Sequence, residues 1–145
     1  MRYWLRRPYL GIGLDASSAL RAAAPKPRAL QPVPLLRATT TSDLKDYLSG
    51  AAGPEVDWVS PEQQHEEAWF LGLRRNCGVC VAEIEREFGG ESLAAALEAV
   101  HRNTESGLVT FDGETVRLTG QGRLLANEVF ADFVGLNATS NIGIA

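Results

Sequence analysis

Residues 108–119 read LVTFDGETVRLT. Two short alternating runs flank Asp112-Gly113, a dipeptide that enters tight hairpin turns because both positions tolerate positive φ. The stretch predicts a β-hairpin, and its flanks decide the fold around it. Upstream, Ser60-Pro61-Glu62-Gln63 sets an N-cap serine before a proline at the first helical position, with Gln63 placed to complete a capping box. A helix is expected from there to about Arg75, turning Ala68, Trp69, Leu71 and part of Phe70 or Leu73 inward. VAEIEREF predicts a second helix with Val81, Ile84 and Phe88 on one face, stopped by Gly89-Gly90. A third is expected from about Ser92 to Thr104 on Leu93, Leu97 and Val100, closed by Gly107. Downstream, Thr119 is expected to cap a last helix carrying Leu124, Leu125, Val129, Phe130 and Phe133. Three helices, a hairpin and a closing helix are the order of a winged-helix domain, placed here at residues 59–135 of an α+β, mainly α, chain. Residues 136–145 lack periodicity and are expected to fray.

The totals narrow the class. A chain of 145 residues holds one domain, or a small domain with a long extension, and an apolar fraction of 45% is ordinary for a globular protein. No window approaches the roughly eighteen consecutive apolar residues of a membrane span. No apolar stretch of signal-peptide length follows Arg2, Arg6 and Arg7, so the cytoplasm is the expected location. A net charge of −4 and a pI near 5.2 weigh against nucleic-acid and anionic-membrane partners. The third helix would offer Glu91, Glu98 and Glu105 against His101 and Arg102, and the hairpin Asp112 and Glu114 against Arg117. Phosphate contacts need clustered Lys and Arg, so this surface reads as a packing or protein-contact face.

No catalytic or metal-binding set is read. Cys77-Gly78-Val79-Cys80 lies between two expected helices, whereas a thioredoxin-like site needs a strand before it. A structural zinc needs four ligands, and only His65 and His101 remain, away from finger spacing. The pair is expected to be reduced, partly buried thiols in a helix–helix turn, with a metal-binding or a redox role as the alternatives. His65, among Gln63, Gln64, Glu66 and Glu67, is expected on a solvated face, and His101 near a helix C-terminus. Gly11-x-Gly13 lacks the third glycine of a dinucleotide loop, and Ser17 and Ser18 have no base nearby.

Residues 1–58 read differently. Tyr9-Leu10-Gly11-Ile12-Gly13 predicts a strand that needs neighbours on both sides. Four of the seven prolines fall between Pro25 and Pro34, which makes that stretch extended or irregular. A short helix fits TSDLKDYLSG, capped by Thr41 or Ser42, with Leu44, Tyr47 and Leu48 on one face and Gly50 ending it.

Taken in order, these segments resemble the C-terminal part of the oxygen-independent coproporphyrinogen III oxidase-like radical-SAM proteins, especially the branch of heme chaperones. Tyr3-Trp4 followed by PYLGIGLDASS resembles that family's last barrel strand, with Ser17 in place of its usual histidine. RATTTSDLKDY (37–47) resembles the segment after the barrel, and EEAWFLGLRRNCGV (66–79) the entry to the C-terminal domain. EREFGG and ESGLVTFDGETVRLTGQGRLLANEVFADFV resemble its closing FG, GL(I/V) and LT-x-x-G-x-x-x-x-N pattern, with Asn127 at the last asparagine. The resemblance spans about residues 3–134.

What the resemblance implies is a chain lacking its chemistry. The family's C-x-x-x-C-x-x-C motif, which binds a [4Fe–4S] cluster and S-adenosylmethionine, is absent, so no cofactor is expected in this chain. Tyr3 and Trp4 would stand at the end of an HNxxYW motif linked to heme, with Met1 and Arg2 at its variable positions. The expected partner is therefore the missing barrel, with heme as a further one. Residues 1–58 would hold a remnant strand of a truncated barrel, mobile, self-associated or packed on the winged-helix core. The competing reading is a stand-alone winged-helix protein-interaction module, with a DNA-binding regulator behind it.

Overall fold

The computed structural model describes residues 3–22 and 32–136, arranged in two compact units, one within residues 3–60 and one within 61–136. The chain is mixed α/β, with helix predominating over two small antiparallel sheets.

In the first unit, β1 (Ser17–Arg21), β2 (Leu35–Thr39) and β3 (Glu55–Val59) pair antiparallel in that order, with α1 (Leu44–Ser49) between the last two. The register sets Leu20, Leu36 and Trp58 in one cross-strand row and Ser18, Ala38 and Val56 in the next. The opposite face holds Arg37 and Asp57, and its Ala19, Leu35 and Val59 are buried beneath Tyr9. The barrel-type strand expected at Tyr9–Gly13 is not formed. Only Tyr9 pairs, in an isolated antiparallel bridge to Ala19. The glycines explain the change: a side chain at Gly11 would overlap the Ser17 carbonyl, and Gly13 and Asp15 have φ of +119° and +53°. The run folds back onto β1, with Gly11 N donating to Ser18 Oγ at 3.1 Å. The described residues here make a three-stranded antiparallel sheet. In α1 the cap is Asp43, whose carboxylate accepts from Asp46 N at 2.9 Å, and Thr41 Oγ1 accepts from Asp43 N instead of capping the helix. Gly50 ends it in the left-handed region (φ +66°), as expected, and Leu44, Tyr47 and Leu48 are exposed.

The second unit runs α2 (Pro61–Leu73), β4 (Val79–Cys80), α3 (Val81–Phe88), α4 (Gly90–Glu105), β5 (Val109–Phe111), β6 (Thr115–Leu118), α5 (Gly120–Leu124) and α6 (Ala126–Ala131). Its sheet has the order β4-β6-β5, and Trp69 stacks on Phe133 at 4.9 Å in the middle of the core. Ile84, Val100, Val109, Val116 and Val129 surround that pair. Buried Asn103 is matched within the core: its Nδ2 donates to Ala99 O (2.9 Å) and to Asp132 Oδ2 (2.7 Å). Glu66 Oε1 accepts from Gly135 N at 2.7 Å, tying the last described turn to α2.

Two local expectations are corrected in this unit. Asp112 and Thr115 face each other, with Asp112 N donating to Thr115 O at 3.4 Å, so the central turn residues are Gly113 (φ +95°) and Glu114. Asp112 stands at the corner, where its Oδ1 accepts from Glu114 N (3.0 Å) and Thr115 N (2.7 Å). The single closing helix is two, separated at Leu125 (φ −108°, ψ 28°). That break leaves Leu124 and Leu125 exposed, while Val129, Phe130 and Phe133 are buried as expected. Of the tail expected to fray, only Leu136 lies within the described residues.

Candidate functional site

Tyr3 and Trp4 sit on a turn closed by Arg6 N donating to Tyr3 O at 2.9 Å. The Tyr3 ring meets Trp4 edge-on at 5.3 Å and Tyr9 at 6.3 Å. Tyr9 anchors the group, because its N–H and C=O both bond Ala19 at 2.9 Å and it packs against the small core of the first sheet. Arg21 Nη2 adds a bond to Arg6 O at 3.3 Å. Tyr3 is 45% and Trp4 39% exposed, so the pair is an open aromatic surface fixed to β1. It offers a planar stacking face and a phenol oxygen, with Arg6 and Arg7 beside it. Tyr9 joins this group through folding alone, and the sequence reading did not include it. Met1 and Arg2 lie outside the described residues.

One histidine is buried and the other lies at the surface. His65, expected in solvent, is 1% exposed, because α2 turns Gln64, His65, Ala68 and Trp69 inward together. Trp69 Nε1 donates to His65 Nε2 at 3.0 Å, which requires the neutral imidazole with its proton on Nδ1. Its ring lies 4.9 Å from that of Phe88. His101 is a surface residue 3.4 Å from Glu105.

The connection between α2 and α3 that holds the cysteines includes strand β4, with Cys77 in the turn before it. Cys77 is exposed, and half-buried Cys80 ends β4 and precedes α3; both are free thiols. A side chain at Gly78 would overlap the Val116 carbonyl, so the dipeptide between the cysteines is shaped by the approach of β4 to β6. Among the described residues, no group of three or more His, Cys, Asp or Glu could hold a metal ion.

At the hairpin, Arg117 Nη1 donates to Asp112 Oδ2 at 2.8 Å. The Arg117 hydrogen bond, with the Thr115 and Glu114 N–H groups, lowers the Asp112 carboxyl to about 2. Arg117 is thus engaged at the tip, while Glu91, Glu98, Glu105 and Glu114 are exposed. At the hairpin base, Thr119 Oγ1 donates to Gly107 O (2.8 Å) and accepts from Gly122 N (2.9 Å), and Thr119 N donates to Leu108 O (3.0 Å). Gly122 lies so close that a Cβ there would overlap Leu108 O. The threonine and the last glycine of LT-x-x-G therefore lock α5 onto the hairpin. Asn127 is exposed on α6.

Residues 59–125 match the family described as the HemN C-terminal domain. The heme chaperone HemW of Bacillus subtilis (strain 168) is 30% identical over 141 residues, covering 93% of this chain and 34% of the relative. The heme chaperone HemW of Lactococcus lactis subsp. lactis (strain IL1403) is 32% identical over 135 residues, covering 91% of this chain and 32% of the relative. The chain spans about a third of the length of these curated relatives. No solved structure gives a significant match. No helix among the described residues is long and apolar enough to cross a membrane. With the hairpin lock and the entry helix inside the matched region, the chain is a HemN/HemW-like C-terminal portion, and residues 59–125 carry its HemN C-terminal domain.

Proposed function

We propose that this chain acts as the non-catalytic C-terminal portion of a HemW-like heme-handling protein in the cytoplasm. In this reading, residues from about 59 to 135 form a winged-helix-like domain that packs beside a radical-SAM barrel, and the N-terminal unit presents Tyr3 and Trp4 to heme. The observation that carries it is the similarity to two heme chaperones over more than nine-tenths of the chain, which takes in the N-terminal unit as well as the matched domain. Heme is the cargo. Tyr3, Trp4 and Tyr9 supply an aromatic face for the porphyrin plane, and Arg6 and Arg7 supply cations for its carboxylates. The chain's two cysteines do not fit a [4Fe–4S] cluster, which takes at least three thiolates in this family's motif, so no step is routed through one.

Titration with ferric heme, followed by absorbance, tests this. Saturable one-to-one binding with a shifted Soret band, lost in Tyr3→Phe or Trp4→Phe, is expected. Adsorption that never saturates and ignores both substitutions overturns the heme contact. A second reading, a protein-interaction module, draws on the exposed glutamates of α4 and the hairpin. It predicts a basic partner whose capture depends on Glu98, Glu105 or Glu114. A DNA-binding role would instead give salt-sensitive duplex binding.

A further inference from the structure

We infer that the bare apolar face of the N-terminal sheet, made by Leu20, Leu36, Val56 and Trp58, is the seam on which the part of a HemW-like protein preceding the HemN C-terminal domain packs. This rests on the reading above that the chain is such a protein's C-terminal portion. The register sets Leu20, Leu36 and Trp58 directly opposite one another, with Ser18, Ala38 and Val56 in the adjoining row, where Ser18 is buried and accepts from Gly11 N. No charged side chain lies on that face, while Arg37, Glu55 and Asp57 all lie on the other. Trp58 is nevertheless 61% exposed, and Val56 and Leu20 are exposed with it. A sheet with one apolar face buries it against a second layer, and an uncharged apolar face selects an apolar layer over a polyanion. Among the described residues of the first unit no such layer covers it, and their buried apolar core is Ala19, Leu35 and Val59 with Tyr9 against them.

The extent of the matches argues for the occupant. The family match begins at Val59, the last residue of β3, so nearly all of the sheet lies before the HemN C-terminal domain. The Bacillus subtilis relative nevertheless covers 93% of the chain, which leaves about ten residues outside and places the sheet inside the shared region. The sheet thus goes with what precedes the C-terminal domain in the relatives, of which this chain covers only 34%. The remaining length of such a protein is ample to supply an apolar layer.

The test co-expresses the full chain with the preceding two-thirds of the Bacillus subtilis relative as a separate polypeptide, and measures association by sedimentation velocity. A one-to-one complex is expected, weakened at least tenfold by Trp58→Lys and by Leu20→Asp and unchanged by Leu48→Ser, an exposed apolar residue of α1 outside the sheet. In the wild-type complex, Trp58 should also resist oxidation by N-bromosuccinimide, which it does not resist in the chain alone. A complex that forms equally well with both face variants and leaves Trp58 reactive overturns the seam while leaving the proposed function standing. No complex with the wild-type chain overturns the seam, and the heme titration then decides the proposed function separately. Self-association of the chain through Trp58 overturns the seam by making a second copy the occupant.

Discussion

Replacing Gly122 with alanine should destabilise the second unit, although the same change in an open helix stabilises by roughly 1 kcal/mol. A Cβ at Gly122 would overlap Leu108 O and stand 2.8 Å from the Leu108 carbonyl carbon and 3.2 Å from its Cα. Carbon atoms pack at about 3.5–4.0 Å, so α5 must withdraw from the hairpin by close to an ångström. That movement strains the Gly122 N to Thr119 Oγ1 cap at 2.9 Å and the Thr119 N to Leu108 O bond at 3.0 Å. Each contributes about 1 kcal/mol. Overpacking adds about 1–3 kcal/mol. Less the helix gain, the net loss is about 3 kcal/mol, or a fall in Tm of about 12–24 °C for a domain of this size. Urea and thermal unfolding followed by circular dichroism would measure it. Gly120→Ala is the control, since nothing lies within 4 Å of a Cβ there. Its effect should lie between neutral and about 1 kcal/mol of stabilisation. If Gly122→Ala melts with the control or above it, the close approach to Leu108 is not what that glycine serves.

Three further outcomes are expected. Asp112 has its carboxyl lowered from 3.8 to about 2 by Arg117 and two N–H groups, so its contribution to hairpin stability is present above about pH 4 and lost as pH falls through about 2. Carboxyl chemical shifts across that range should give the midpoint, and an unshifted midpoint near 4 refutes the corner geometry. His65→Leu leaves the buried Trp69 N–H without its acceptor and should cost about 2 kcal/mol, with faster exchange of that indole proton; unaltered stability and exchange would show that the bond contributes nothing. Cys77 should react with a thiol reagent well before half-buried Cys80, and equal rates would contradict the exposure difference between them.

What was legible in the sequence follows the range of the forces involved. Helix α3 matches its expected bounds because Val81, Ile84 and Phe88 are locally periodic and Gly89 stops the helix within one residue. The Thr119 cap is likewise a contact between near neighbours. Strand β4 was invisible because two residues carry no alternation, and it exists only through pairing with Val116 and Thr115 far along the chain. His65 was misread because its glutamine and glutamate neighbours mask the turn of α2 that faces the core. The first sheet joins segments separated by proline-rich chain, so the stronger local signal at Tyr9–Gly13 gave way to Ser17–Arg21. In the candidate site, Tyr3 and Trp4 were legible only as part of a motif, and Tyr9 only in three dimensions.

Glu66 and Gly135 are 69 residues apart in sequence and 2.7 Å apart in space. The entrance and exit of the second unit are therefore spatial neighbours, and its path through the fold is nearly a closed ring. A flexible linker could run from Gly135 back to the start of α2 at Pro61, and new termini could be opened at the exposed Gly113-Glu114 tip without crossing the core. Such a circular permutant would keep the Trp69–Phe133 stack and every helix intact, and this unit could then be carried as a cassette inserted into another protein's loop.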